Sequence, residues 1–169
     1  MPNWCENEWD FFHDDPQVIN DVMKLMTHVV TEKKIDDTSE RVRQVTFNKI
    51  IPMPDCLRRT VSPRDEITIA TLNADGSNAE RPATDEERAE IRATGYDNWY
   101  DWSVANWGTK WGACEPFEVH LFTATHLKLC FLTAWSPPTQ VVIALRKRFD
   151  SLDISAFYKD PATRQAGWI

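Results

Sequence analysis

A chain of 169 residues, 42% hydrophobic and 27% charged, is long enough for one domain with its own core, and its composition excludes global disorder, a collagen-like repeat and a coiled coil. Nineteen basic residues against 26 acidic ones give a net charge of −7, which opposes a generic nucleic-acid binder and favours basic partners. No apolar run approaches the roughly 18–20 residues of a membrane span, and MPNWCENEWD lacks the basic and apolar regions of a secretory signal, so a cytoplasmic protein is expected.

Residues 4–12, WCENEWDFF, read as a first strand. Asp15 followed by Pro16 is a helix start, with a carboxylate at the N-cap and proline at the first helical position. Val18, Val22, Leu25, Met26 and Val29 then recur at helical spacing and predict a helix over 16–30. Residues 31–45 are charged and irregular. In FNKIIPMPD, 47–55, Pro52 and Pro54 forbid a regular ladder or helix and predict a rigid extended segment. Residues 60–95 hold four basic residues against eight acidic ones and read as an exposed acidic insertion. Within it, Thr84 to Glu87 forms a capping box, and Gly95 ends the helix it starts.

Four of the eight tryptophans, Trp99, Trp102, Trp107 and Trp111, fall in the block 96–112. Tyr96, Trp99, Tyr100 and Val104 fit one helical face, with Trp102 displaced from it and Gly108 ending the helix. Strands near 117–124 and 127–135 follow, joined as a hairpin through Ala124-Thr125-His126. Ser136-Pro137 reads as an N-cap and first residue of a helix over 138–148, with Val141, Val142, Leu145 and Phe149 buried. Arg146, Lys147 and Arg148 in its last turn complement the helix dipole. Alternation over 151–158 gives a last strand.

The order β, α, excursion, β, β, α, β predicts an α+β fold of the ferredoxin-like βαββαβ type. This is one domain, 1–169, with an inserted segment over about 31–113. Its four-stranded antiparallel sheet has the order 4-1-3-2 and two helices on one face. The Trp-rich block is expected to cover the other face. Trp4, Trp107, Trp111 and Trp135 are expected to be buried with their indole nitrogens hydrogen-bonded.

MPNWCEN, FNKIIPMP, GYDNWYDWSVANWGTKW and FLTAWSPP, four separated motifs in one order along the chain, resemble the YubB ferredoxin-like domain family. Its members are small proteins of phages, prophages and conjugative plasmids. The resemblance implies the ferredoxin-like fold and no reaction. Its mobile-element setting, often beside anti-restriction genes, suggests a protein that counters a host defence in the bacterial cytoplasm.

The cysteines, Cys5, Cys56, Cys114 and Cys130, form no C-x-x-C pair and read as small buried hydrophobes, so no metal or cofactor is expected. No phosphate loop or hydrolase motif is present. Asn106, Gly108 and Thr109 of N-W-G-T-K-W read as turn chemistry that satisfies backbone groups. The leading functional reading is a non-enzymatic interaction protein that binds a basic host protein. Its contact face would join Trp99, Trp102, Asn106 and Lys110 to the acids Asp85, Glu86, Glu87 and Glu90. One alternative is a single-stranded nucleic-acid binder stacking bases on sheet-face tryptophans. The other is a small enzyme using Asp97, Asp101 and Lys110, the two carboxylates sharing a helix face.

Overall fold

A computed structural model describes residues 3–33 and 39–169; the side chains of 30–42 and of Pro116 lie outside that description. β1 (Trp4–Phe12) leads into α1 (Pro16–Met26). The Asp15 carboxylate accepts the amide of Gln17, and Ile19, Val22, Met23 and Met26 form the buried stripe. The helix stops four residues before the expected end. Thr27-His28-Val29-Val30-Thr31 is rich in β-branched residues, which lose rotamer freedom in a helix and fit a strand. The chain accordingly enters β2 (Thr27–Lys33), which pairs antiparallel with β3 (Ser39–Val45). The stretch read as irregular is thus largely a hairpin, and its residues 34–38 lie outside the described set.

After β3 come α2 (Asp55–Arg58), the β4 (Thr68–Leu72) and β5 (Asn78–Pro82) hairpin, α3 (Asp85–Ala93) and α4 (Trp99–Trp107). β6 (Cys114–Phe122), β7 (His126–Ala134), α5 (Thr139–Arg148), β8 (Asp153–Asp160) and β9 (Gln165–Trp168) complete the chain. The main sheet is antiparallel with the order β6-β7-β1-β8-β9. Counted over β1, β6, β7 and β8, this is the order 4-1-3-2; the short β9 adds an edge strand that alternation did not reveal. Among the described residues, no helix is long and apolar enough to cross a membrane.

α5 begins one residue late. Pro138 stands at its cap without a side-chain bond, because the Ser136 hydroxyl donates to Gly108 O at 2.6 Å instead.

Strand alternation sorts the sheet into two faces. Asn7, Trp9 and Phe11 of β1 point to the buried face with Leu127, Leu129 and Phe131 of β7 and Ile154 and Ala156 of β8. Helices α1 and α5 pack there, and the excursion does too: Phe47, Leu57, Ile91, Trp102 and Trp107 belong to the same core cluster. A chain of edge-to-face aromatic contacts joins them. It runs from Trp102 to Trp107 (5.2 Å), to Phe47 (5.9 Å), to Phe131 (5.9 Å), to Trp9 (5.0 Å) and to Phe11 (6.2 Å). The Trp-rich block therefore enlarges the helix-side core and does not cover the second face of the sheet. The acidic stretch 60–95 is not merely an exposed insertion either, since Ile67, Ile69, Ala83 and Ile91 are buried within it.

Candidate functional site

The Trp-rich block is built from its caps inward. Asn98 caps α4 by accepting the Asp101 amide at 3.0 Å, and its own amide donates to the Asp101 carboxylate at 2.8 Å. That start turns Trp102, Ser103 and Trp107 to the core. Tyr96 precedes the helix and Val104 is exposed, so the expected face is rotated. Gly108, at φ 86°, ends the helix. Thr109, fully buried, donates to Ala134 O at 2.8 Å, and Asn106 donates to Trp102 O at 2.9 Å. The turn chemistry read from N-W-G-T-K-W is therefore present, with one bond reaching as far as β7.

The expected binding residues separate. Trp102 is 5% exposed and belongs to the core, and Asn106 is spent on a helix carbonyl. Trp99 is half-buried, its amide on Thr60 Oγ1. Lys110 lies 4.6 Å from the ring centroid of Trp111 and 5.6 Å from those of Tyr100 and Trp135. Of the four tryptophans expected in the core, only Trp107 is buried, donating its indole N–H to Ile51 O at 2.9 Å. Trp4 and Trp111 are each 36% exposed and Trp135 57%. Strand alternation puts Trp4 on the sheet's outer face, and Trp135 follows the end of β7. Trp9 is fully buried instead, with no partner for its indole N–H.

Trp135 adopts φ 79°. A bulky residue there is a true backbone outlier, costing about 1–3 kcal/mol. The surroundings hold it: its amide donates to Asn3 O, Thr133 Oγ1 donates to Ser136 O, and Thr109 fixes Ala134 O.

The acids of α3 also divide. Glu87 is structural. It closes the capping box with Thr84 and takes both guanidinium nitrogens of Arg81 at 2.7 Å. Asp85 pairs with Arg88 at 2.7 Å. Helical spacing puts Glu86 and Glu90 across α3 from Arg88 and Arg92, and it is the two arginines that face α4. They line a cleft of about 560 Å³ with Arg64, Asp97, Asn98 and Asp101. The single face expected to join the aromatic block to these acids is thus not formed.

The hydrogen bonds from Arg81 hold the Glu87 carboxyl down at about 2, against 4.5 ordinarily. A depressed carboxyl stabilises the fold above its ordinary value, and that contribution fades as pH falls through about 2. Glu87→Gln should therefore flatten the loss of stability between about pH 4.5 and pH 2 in acid titrations of thermal melts; an unaltered acid limb would refute the linkage.

The carboxylate pair proposed for catalysis does not share a helix face. Asp97 precedes the cap and lies 3.8 Å from Arg92, while Asp101 is held by Asn98. Asp101 shares a second cleft, of about 430 Å³, with Lys110. Among the described residues, no group of three or more His, Cys, Asp or Glu side chains is placed to hold a metal ion. His120 pairs with Glu118 and His126 with Asp10, each at 2.7 Å.

Sequence reasoning missed the outer face of the sheet. There Glu6, Glu8 and Asp10 of β1 alternate with the buried set, opposite Lys128, Cys130 and Leu132 of β7 and Phe157 and Lys159 of β8. Glu118 of β6 joins them across from Cys130. Seven of these residues, Glu6, Glu8, Glu118, Cys130, Leu132, Phe157 and Lys159, line a groove of about 390 Å³. Trp168, 69% exposed, packs its ring 5.0 Å from that of Phe157. Lys128 is bonded to Glu8 at 2.6 Å, and Lys159 lies 3.6 Å from Glu6. Burial and the surrounding acids push the Cys130 thiol up to about 11, which keeps it neutral and a poor nucleophile. Trp99, Trp102 and Trp107 lie on the helix side, and the exposed tryptophans of the sheet's outer face are Trp4 and Trp168.

No family model matches the chain, and no curated protein does. A solved structure does: the crystal structure of a protein api92 from Yersinia pseudotuberculosis, of the family DUF1281. The two share 13% identity with a TM-score of 0.52, over 99% of this chain and 93% of that one. This chain is similar to it in fold.

Proposed function

We propose that this chain is a ferredoxin-like, non-enzymatic binding protein of a phage or mobile element, and that a basic host protein docks on the open face of its sheet. The fold reading is supported by the strand order 4-1-3-2 and by both long helices lying on one face. The mobile-element setting rests on the resemblance to YubB-like proteins, which makes a component of host defence the expected partner. The observation that carries the docking reading is the outer face itself. Four carboxylates, Glu6, Glu8, Asp10 and Glu118, face two lysines around an apolar floor of Cys130, Leu132 and Phe157. An uncovered face with an apolar centre and a charged rim is the anatomy of a protein contact, and the sign of the rim selects the partner. The same acid excess opposes a nucleic-acid strand there.

The test is affinity capture from a nuclease-treated bacterial lysate. The triple variant Glu6→Gln, Glu8→Gln, Glu118→Gln and the single variant Phe157→Ser should each lose the captured protein by more than tenfold. Neutralising Asp85, Glu86 and Glu90 should slow association and lower its salt dependence while leaving dissociation nearly unchanged, because exposed charges away from the contact act on encounter and are screened within about 10 Å at 0.1 M salt. Glu87 is left intact because it holds the helix start. Full capture by both sheet-face variants would refute the docking face. An unaltered salt slope in the α3 variant would mean that those acids serve solubility alone.

A further inference from the structure

The helix side carries a second surface of opposite character. The cleft of about 290 Å³ beside α4 is lined by Arg58, Lys110, Trp99, Trp107 and Trp111, and by no carboxylate. Arg58 is already paired with Asp55 at 3.1 Å and donates to Met53 O, so Lys110 is the uncompensated cation of this cleft. The Lys110 ammonium sits over three rings, with neither a hydrogen bond nor an ion pair to any described residue. Its three donors are free while the ammonium rests against the rings. Trp135, the most exposed of these rings, keeps a left-handed backbone clamped from both sides. Strain that the surroundings maintain at an exposed aromatic residue points to use of that side chain.

A free ammonium beside several planar apolar faces, with the Asp55-paired Arg58 guanidinium in the same cleft, matches a ligand that is at once anionic and planar. An acidic peptide would satisfy Lys110 and leave the indoles idle; an apolar ring would stack and leave Lys110 unpaired. We propose that Lys110 and the rings around it bind a nucleoside phosphate, with the phosphate between Lys110 and Arg58 and the base against the indoles of Trp111 and Trp135. Stacking of a base on an aromatic face with a cation on its phosphate is the common grammar of nucleotide capture. The cleft stands at the lower edge of the size range of small-ligand sites, and the neighbouring one of about 430 Å³, which reaches Lys110 and also carries Asp101, falls within it. This site lies on the opposite side of the sheet from the proposed protein contact, so each can fail without the other.

The experiment titrates the full chain with AMP, inorganic phosphate, a ten-residue oligothymidylate and a glutamate decapeptide, read by tryptophan fluorescence and calorimetry. AMP or the oligonucleotide should bind with quenching. Lys110→Met and Trp135→Gly should each weaken that binding at least tenfold, whereas Lys147→Met on the exposed end of α5 should not. Glycine suits the backbone at position 135, so that variant keeps its fold, which a circular dichroism melt verifies. AMP binding as tightly as the oligonucleotide identifies a free nucleotide; a tighter oligonucleotide with a steep salt dependence identifies a strand. The proposal is overturned if neither probe binds at millimolar concentration, if binding is indifferent to both variants, or if the glutamate peptide binds as well as they do.

Discussion

Trp107→Ala should destabilise the protein by about 3–5 kcal/mol, the range for deleting a buried aromatic side chain. The residue is 7% exposed and stands in the middle of the ring chain that ties α4 to Phe47, and Phe47 to the sheet residue Phe131. Removing it opens a cavity between the excursion and the sheet and leaves Ile51 O without its indole donor. Trp107→Phe separates the two terms: it keeps most of the ring packing and loses the hydrogen bond, at a cost of roughly 1–2 kcal/mol. Chemical denaturation of the three proteins measures both. If Trp107→Ala melts like the parent, the excursion is not part of the cooperative core.

Part of this packing is legible in the sequence. Local signals carried through: Asp15-Pro16, the Thr84–Glu87 capping box and the Gly108 stop each act within a few residues, and each appears where the residues placed it. The burial of Trp107 was legible too. The burial of Trp102 was not, because the placement of α4 after the Asn98 cap decides which side meets the core, and one residue of shift turns a helix by about 100°. The β2–β3 hairpin was hidden because Val29 prolongs the apolar rhythm of α1, while strand preference begins at Thr27. The proposed docking face was illegible for another reason. Glu6 and Lys159 lie near opposite ends of the chain, far from Glu118 and Cys130 of the β6–β7 hairpin, and only sheet pairing makes them neighbours. Their alternation was visible strand by strand; what lay uncovered was decided by where the excursion packed.

The excursion's placement has a consequence for electrostatics. With the Trp-rich block on the helix side, the acidic sheet face and the cationic cleft at Lys110 are separated by the core itself. An excess of carboxylates therefore stands on one side of the core and the unpaired Lys110 ammonium on the other. The net charge of −7 describes neither of them, which is why a composition argument alone pointed to one class of partner.

Gly108→Ala should cost about 2–3 kcal/mol, and Gly95→Ala about half as much. Both glycines cap helices with positive φ, 86° and 84°, where an L side chain costs roughly 1–2 kcal/mol. At Gly95 that is the whole penalty, since an added Cβ would meet nothing within 4 Å. At Gly108 the same Cβ would come within 3.1 Å of Thr139 N and 3.3 Å of Pro137 O. Both are backbone atoms at the start of α5, so neither can swing away, and α4 would have to retreat from α5. That retreat would pull Gly108 O from the Ser136 hydroxyl and disturb the turn that holds Trp135 in its left-handed conformation. The excess of Gly108→Ala over Gly95→Ala in denaturant unfolding thus measures the close approach of the two helices, free of the backbone term they share. Equal costs would mean that α4 and α5 are not locked together at this point, and that the setting of Trp135 is maintained from β7 alone.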